Sequence, residues 1–250
     1  MTPTQPRPEP AGPLKLGRLR FSTVGFLMAL VFFLASAPFV EEMPHGDIVD
    51  GGLLTLVLAS GVLAVGGSLR RLIAAIILAS PAVIGRWLHQ FVPGVPHEYF
   101  LIPGLLFIIF VTANLLQFIL HAPRVNSEVL CAGLSVYLLL GMTWMFAYLL
   151  VSERSPGAFA ITAGPDTGHA LGNFDAYYFS YTTLCTLGYG DIVPASHVAR
   201  TLAAAEGITG TLFMAVLIAR LVALYSSQSP APTDSPSNPP TTRNPDKPET

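Results

Sequence analysis

Six long apolar runs constrain the fold of this chain more than any other feature of its sequence. Of its 250 residues, 52% are hydrophobic and only 11% are charged, which is far from the composition of an average soluble domain. Apolar runs of about 20 residues are long enough to cross a bilayer as helices. The predicted spans cover residues 21–40, 53–67, 72–91, 99–120, 129–151 and 198–225. The sequence therefore predicts an all-α membrane protein with six transmembrane helices.

The positively charged residues predict how these spans are oriented, because cytoplasmic loops of membrane proteins carry an excess of Lys and Arg. With both termini cytoplasmic, ten of the thirteen Lys and Arg residues fall inside, and Arg86, Arg154 and Arg200 fall outside. We therefore expect a multi-pass protein of the plasma (inner) membrane, with the lipid bilayer as a partner. The net charge of -2 argues against a nucleic acid partner.

A short motif, TLCTLGYGD at residues 183–191, lies between the last two apolar runs. Its glycines, Gly188 and Gly190, can take left-handed or mirror-β backbone angles that other residues resist. Successive carbonyl groups could then all point one way. The preceding residues, 175–184, predict about two and a half turns of helix, which is too short to cross a bilayer.

The motif closely resembles the selectivity filter of potassium channels, and the spans agree with a bacterial six-transmembrane channel that has one pore loop. The resemblance is strong over residues 128–225 and weak over the first four spans. It implies a re-entrant pore helix and a filter loop, repeated in a fourfold homotetramer, with no cofactor besides permeant potassium ions. The implied filter residues are Thr186, Leu187, Gly188, Tyr189, Gly190 and Asp191, of which the first four coordinate potassium.

The resemblance also assigns residues that support the filter. Tyr178 and Phe179 fall where the family has an aromatic pair that braces the filter tyrosine, here Tyr189. The alternative is that both are aromatic residues of the membrane interface. Thr182 stands where some relatives have a glutamate that pairs with the acid after the filter, so that carboxylate clamp is missing.

Three ionisable residues within the predicted spans need a partner or water, since charge in a membrane is costly. Glu206 is expected to support the filter by bonding to pore-helix hydroxyls, such as those of Tyr181, Thr182 and Thr183; its alternative role is a pH sensor. Arg86 is predicted to reach lipid headgroups by snorkelling. Arg220 is predicted to meet phosphates at the inner surface.

The last predicted span carries a stripe of residues expected to line the cavity and gate. By helical spacing, the stripe contains Gly210, Thr211, Met214, Ile218 and Val222. Gly210 matches the hinge position of the family, although a small residue there would equally permit close helix packing. Ile218 and Val222 are predicted to form an apolar constriction that closes the pore by dewetting.

The sequence divides into four predicted parts. They are a disordered cytoplasmic tail at 1–20, a four-helix membrane domain at 21–121, a pore domain at 128–225 and a second disordered tail at 226–250. The fourth span contains no Lys or Arg, whereas a voltage sensor needs several gating charges. We therefore expect a passive potassium-selective channel without steep voltage dependence.

Three other functions are weaker alternatives. The chain could be a non-conducting subunit that modulates another channel, although its filter motif is intact. A membrane-embedded enzyme would need metal ligands, for which the candidates are His89, His97, Glu98 and His121. The first three are predicted at the outer end and His121 at the inner end, so we expect no enzyme. A secondary transporter would show matching broken helices in its two halves, and the sequence shows no such pair.

Overall fold

The computed structural model describes residues 23–41, 43–65, 69–92, 94, 96, 98–122, 126–162 and 171–226. Six helices in this part of the chain are long and apolar enough to cross a membrane, which confirms the predicted number of spans. They are α1 (Thr23–Glu41), α2 (Gly46–Ala64), α3 (Leu69–Phe91), α4 (Glu98–Leu120), α5 (Ser127–Arg154) and α7 (His197–Ser226). The predicted tails lie outside the described residues, except for Ser226, and so does the candidate ligand His97.

The start of α2 differs from the prediction. The helix begins at Gly46, seven residues before the predicted span, because Asp47 and Asp50 belong to the helix and not to a preceding loop. Asp47 lies in the first turn, where the positive end of the helix dipole favours an acidic side chain. Asp50 lies one turn further and has a basic partner on α3.

That partner is Arg86, and the prediction that it snorkels to the headgroups is wrong. Arg86 is only 6% exposed, and its guanidinium donates from Nη2 to the carbonyl oxygen of Asp47 at 2.8 Å and to Oδ2 of Asp50 at 3.4 Å. The guanidinium carbon also lies 5.6 Å from the centre of the Phe100 ring on α4. A buried charge requires paired partners, and α2 supplies them.

Helix α5 forms the centre of the fold, since both α1 and α4 pack against it. Thr23 at the start of α1 donates from Oγ1 to the carbonyl oxygen of Glu128 on α5 at 3.1 Å. On the other side, Gly104 of α4 faces the ring of Phe146, whose Cε1 atom would lie 2.7 Å from a Cβ at position 104. Close approach of α4 to α5 therefore depends on glycine.

Two short strands and one short helix lie between α5 and α7. Strand β1 (Phe159–Ile161) pairs antiparallel with β2 (Ile192–Pro194), with Phe159 opposite Pro194 and Ile161 opposite Ile192. Helix α6 (Asn173–Leu184) and the loop at residues 185–191 lie between them in sequence. The sequence did not predict this small sheet, which adds to an otherwise helical fold and brings the end of the loop to the chain that leaves α5.

Candidate functional site

The site is built on the C-terminal end of α6, where the chain turns back on the last helical turn. Helix α6 packs against both α5 and α7. Beyond its last residue, the amide of Thr186 donates to the carbonyl oxygen of Thr183 at 2.9 Å, and the amide of Leu187 donates to that of Thr182 at 2.8 Å. These two bonds use carbonyl groups that the helix end would leave without partners, and they fix the start of the loop.

The loop backbone alternates in handedness. Thr186, Gly188 and Gly190 have positive φ angles of 59°, 52° and 83°, whereas Leu187 and Tyr189 do not. Thr186 is the one residue other than glycine with a positive φ among the described residues, and this conformation costs about 1–2 kcal/mol. The two glycines were predicted to permit left-handed angles, but no sequence pattern indicated a left-handed threonine.

A row of unpaired carbonyl groups follows from this backbone. Within the described part of the chain, no hydrogen bond is donated to the carbonyl oxygens of residues 185–189. The carbonyl groups on either side both accept hydrogen bonds, that of Leu184 from the Tyr137 hydroxyl at 3.5 Å and that of Gly190 from the Thr162 hydroxyl at 3.0 Å. Residues 185–189 are all exposed in the single chain, so their carbonyl oxygens are open to water or to a cation. Five consecutive open oxygens can replace the water around a dehydrated cation.

Tyr178 braces the far end of the loop, and Asp191 is its partner. The Tyr178 hydroxyl donates to Oδ2 of Asp191 at 2.7 Å, and the amide of Ile192 donates to Oδ1 at 3.0 Å. The rings of Tyr178 and Tyr189 are stacked, with centres 6.5 Å apart and planes 7° from parallel. The hydrogen bond to Asp191 raises the pKa of Tyr178 to about 12, so its hydroxyl is a donor at neutral pH.

Thr182 does not take part in this contact, because its hydroxyl is used within α6. Oγ1 of Thr182 lies 2.9 Å from the carbonyl oxygen of Tyr178 and 3.1 Å from that of Phe179, and its one proton is shared between them. Asp191, the last residue of the loop, is therefore held by Tyr178 and not by a carboxylic acid at position 182.

Phe179 lies on the opposite side of α6 from the loop. Its buried ring makes edge contacts with Tyr148 of α5 at 5.0 Å and with Phe159 of β1 at 5.5 Å between ring centres. Within this chain, the structure thus brings Tyr178 to Tyr189 but places Phe179 in the core behind α6, where it joins α5 to the small sheet.

Glu206 of α7 is completely buried behind α6, with 0% of its surface exposed. Oε1 of its carboxyl group lies 2.6 Å from the Ser180 hydroxyl, and Oε2 accepts a hydrogen bond from the Tyr148 hydroxyl. A pore-helix hydroxyl was predicted as its partner, but Ser180 takes this place instead of Tyr181, Thr182 or Thr183. The Tyr181 hydroxyl donates to the carbonyl oxygen of Leu138 at 2.6 Å.

The predicted stripe on α7 divides between two faces of the helix. Four members are exposed in the single chain, namely Thr211, Met214, Ile218 and Val222. Gly210 is buried instead, and a Cβ there would lie 2.7 Å from the carbonyl oxygen of Leu184. Gly210 therefore lies at the contact with α6 and not on the exposed face of the other four, which is the close packing given as the alternative to its hinge role.

Arg220 also differs from its prediction, since protein carbonyls occupy its guanidinium. Nη2 donates to the carbonyl oxygen of Leu120 at 2.7 Å and to that of Ala122 at 3.2 Å. These carbonyls lie at the C-terminal end of α4, where a cation is favoured by the helix dipole. Arg220 thus ties α7 to α4 instead of reaching lipid phosphates.

Comparison with known proteins identifies the region that holds this site. Residues 128–227 match a family model described as "Ion channel". This part of the chain is therefore similar to ion channels. The match contains α5, the small sheet, α6, the open loop and α7. It therefore covers the motif at residues 183–191 that resembles a potassium-channel filter.

Proteins similar to part of this chain include potassium channels. The chain is 37% identical over 89 residues to "Two pore potassium channel c" of Oryza sativa subsp. japonica, covering 36% of this chain and 17% of the relative. It is 28% identical over 95 residues to "Inward rectifier potassium channel Kirbac3.1" of Paramagnetospirillum magnetotacticum, covering 36% and 28%. It is 44% identical over 48 residues to "Two-pore potassium channel 4" of Arabidopsis thaliana, covering 19% and 17%. The chain therefore spans less than a third of the length of each of these relatives.

These matches confirm the resemblance to potassium channels and the prediction that the chain is not an enzyme, because ion channels are not enzymes. Of the candidate metal ligands, Glu98 forms an ion pair with Arg154, with Nη2 to Oε2 at 3.0 Å. No three His, Cys, Asp or Glu residues in the described ranges form a group that could hold a metal ion.

Proposed function

We propose that this chain is the subunit of a potassium-selective channel, which conducts potassium ions passively through the loop at residues 185–191. The observation that carries the proposal is the row of open carbonyls on a backbone of alternating handedness. Hard cations bind oxygen ligands, and carbonyl oxygens in a row replace the hydration shell of potassium in a selectivity filter. The similarity to proteins named as potassium channels supports potassium as the ion.

In the proposed filter, the carbonyl oxygens of Thr186, Leu187, Gly188 and Tyr189 coordinate potassium, and the Thr186 hydroxyl adds a further oxygen. Helix α6 acts as a pore helix. Its C-terminal end leads directly into the loop, and the negative end of the helix dipole favours a cation there. The left-handed conformation at Thr186 is strained, and such strain is often found at functional sites.

We propose that four copies assemble around the filter. A single chain offers oxygens from one side only, so it cannot surround an ion. The side chains of Leu187 and Tyr189 are 58% and 69% exposed in the single chain, which leaves both available for contact with neighbouring copies. A closed fourfold ring of identical chains would surround the ion with oxygens and would cover the exposed side chains of Leu187 and Tyr189.

The proposed channel opens without steep voltage dependence and lies in the plasma (inner) membrane with both termini cytoplasmic. Moving one charge through the membrane field is worth about 2.3 kcal/mol per 100 mV, but α4 contains no Lys or Arg. A conductance that rises as steeply with voltage as several gating charges per subunit require would contradict this absence of steep voltage dependence.

The exposed residues Ile218 and Val222 of α7 form the gate in this proposal. Val222→Asp should wet the constriction and give a leaky pore.

The experiment that tests the function is ion flux from the purified protein in liposomes, with potassium and sodium gradients compared and barium added as a blocker. We expect barium-sensitive flux that is selective for potassium. Gly188→Ala should abolish it, because a side chain resists the left-handed backbone. Gly157→Ala is the matched control, since Gly157 has a positive φ of 80° and open space around it but lies outside the loop.

Three results would contradict the proposal. Equal sodium and potassium flux would show that the loop does not select between them. Flux that survives in Gly188→Ala would place the pathway elsewhere. Absence of flux from the tetramer over a range of pH and potential, in Val222→Asp as well as in the unmodified protein, would favour a non-conducting modulatory subunit.

A further inference from the structure

Thr162 makes the contacts that end the row of open carbonyls. It follows β1 directly, and its amide donates to the carbonyl oxygen of Asp191 at 2.7 Å. Its hydroxyl lies 3.0 Å from the carbonyl oxygen of Gly190 and 3.0 Å from that of Asp191. The pairing of Ile161 with Ile192 places Thr162 at this point, so the small sheet positions it.

The orientation of the Gly190 peptide group depends on the contact with the Thr162 hydroxyl more than that of Asp191 does. Its φ angle is 83°, and no heavy atom lies within 4 Å of the position that a Cβ would take. Glycine is free to turn its peptide group, and the described residues supply no other donor to the Gly190 carbonyl. The next residue, Asp191, is already fixed by Tyr178 and Ile192.

From this geometry we propose that Thr162 is a positioning residue of the ion pathway. The Asp191 carbonyl already accepts from the Thr162 amide, so the single hydroxyl proton goes to the Gly190 carbonyl and excludes that oxygen from the coordinating row, which then ends at Tyr189. The inference rests on the proposed function, because it describes one end of the same filter. Thr162 does not contact the ions and acts through the orientation of Gly190.

This role explains how the loop is held without a carboxylic acid at position 182. The sheet provides Thr162 on one side of the loop end, and α6 provides Tyr178 on the other. Where selectivity depends on the fit of the cation, fixed carbonyl geometry favours one cation size over another. Loss of the Thr162 hydroxyl should therefore reduce discrimination between potassium and sodium.

The test compares Thr162→Val, which removes the hydroxyl and retains the shape, with Thr162→Ser, which retains the hydroxyl. In the full-length tetramer in liposomes, we expect the potassium-to-sodium flux ratio to fall about 2- to 12-fold in Thr162→Val, the range that one hydrogen bond provides. Thr162→Ser should keep the ratio of the unmodified protein. Thr201→Val is the control, since the Thr201 hydroxyl bonds to the carbonyl oxygen of His197 within α7.

The outcomes separate this inference from the proposed function. Non-selective flux from the unmodified protein, or no flux from either the unmodified protein or Val222→Asp, would overturn the function. Selective flux that is equal in the unmodified protein and Thr162→Val would overturn the role of Thr162 alone. An equal fall in Thr162→Ser and Thr162→Val would also overturn it, because the hydroxyl would then not be the cause. Thr162→Ala repeats the test without a β-branched side chain and should match Thr162→Val.

Discussion

The Ser180 hydroxyl lies 2.6 Å from Oε1 of Glu206 in the buried contact between α6 and α7. The same hydroxyl lies 2.8 Å from the carbonyl oxygen of Gly141, and a serine has one proton to donate. Oε2 of Glu206 already accepts from Tyr148. No Lys, Arg or His in the described ranges pairs with this carboxyl. Ser180 donates its proton fully to only one of these two acceptors, and it can donate to Gly141 if the Glu206 carboxyl is protonated and donates to Ser180.

A neutral carboxyl at this position predicts that Glu206→Gln is tolerated. The glutamine amide donates to Ser180 as the protonated acid does, and its oxygen still accepts from Tyr148. Glu206→Ala leaves the buried Tyr148 hydroxyl without its acceptor, which costs about 1–3 kcal/mol. Thermal unfolding of the purified protein in detergent measures both variants. We expect Glu206→Gln to stay near the unmodified protein and Glu206→Ala to unfold at a lower temperature.

Tyr148→Phe provides the control for this comparison. Removal of both the donor and its acceptor in Tyr148→Phe with Glu206→Ala should cost less than the sum of the single changes. Equal destabilisation by Glu206→Gln and Glu206→Ala would show that the Glu206 carboxyl is charged and does not donate a proton to Ser180.

The contact between Gly210 and Leu184 predicts different effects for two glycines on α7. Gly210→Ala places a Cβ 2.7 Å from the carbonyl oxygen of Leu184, so α7 must move away from the start of the loop at a cost of about 1–3 kcal/mol. Gly207→Ala meets no heavy atom of its own chain within 4 Å and gains about 0.5–1 kcal/mol of helix propensity. Unfolding and potassium flux of both variants check the prediction. Equal behaviour of the two would contradict the packing role of Gly210.

The ion pair of Arg86 and Asp50 predicts a loss of stability when one partner is removed. Arg86 is buried but the Asp50 side chain is 34% exposed, so Arg86→Ala should cost less than the ~3–5 kcal/mol typical of breaking a fully buried pair. Arg86→Met combined with Asp50→Leu removes both charges and should cost less than Arg86→Ala alone. Denaturant unfolding measures the difference. A double variant less stable than Arg86→Ala would show that the ion pair is not the reason for the loss.

The sequence predicted the features that depend on local pattern and failed on those that depend on distant contacts. Six spans follow from apolar runs, and the loop follows from its glycines. The partner of Arg86 lies 36 residues away on another helix, so spacing along one helix could not reveal it. Thr162 lies 28 residues from Gly190 beside a three-residue strand, which is too short to give a recognisable period. Ser180 was missed because three other hydroxyls of α6 were equally plausible from the sequence.

Arg220 connects the inner half of α7 to the end of α4, and this connection predicts separate effects on stability and selectivity. Its guanidinium donates to the carbonyl oxygens of Leu120 and Ala122, and hydrogen bonds of charged groups contribute about 1.5–3 kcal/mol. Arg220→Ala should lower the free energy of unfolding by this amount. The potassium-to-sodium flux ratio should not change, because the open carbonyls lie at the opposite end of α7.

Arg220→Lys separates the charge from the geometry of this contact. Lysine keeps the favourable charge at the C-terminal end of α4 but loses the planar fork of donors, so its stability should lie between those of the unmodified protein and Arg220→Ala. Total potassium flux should change in Arg220→Ala, because the contact holds α7 between Ile218 and Val222 of the proposed gate. Unchanged stability would show that the contact does not hold α7 to α4. A changed flux ratio would show instead that the inner end of α7 affects the filter.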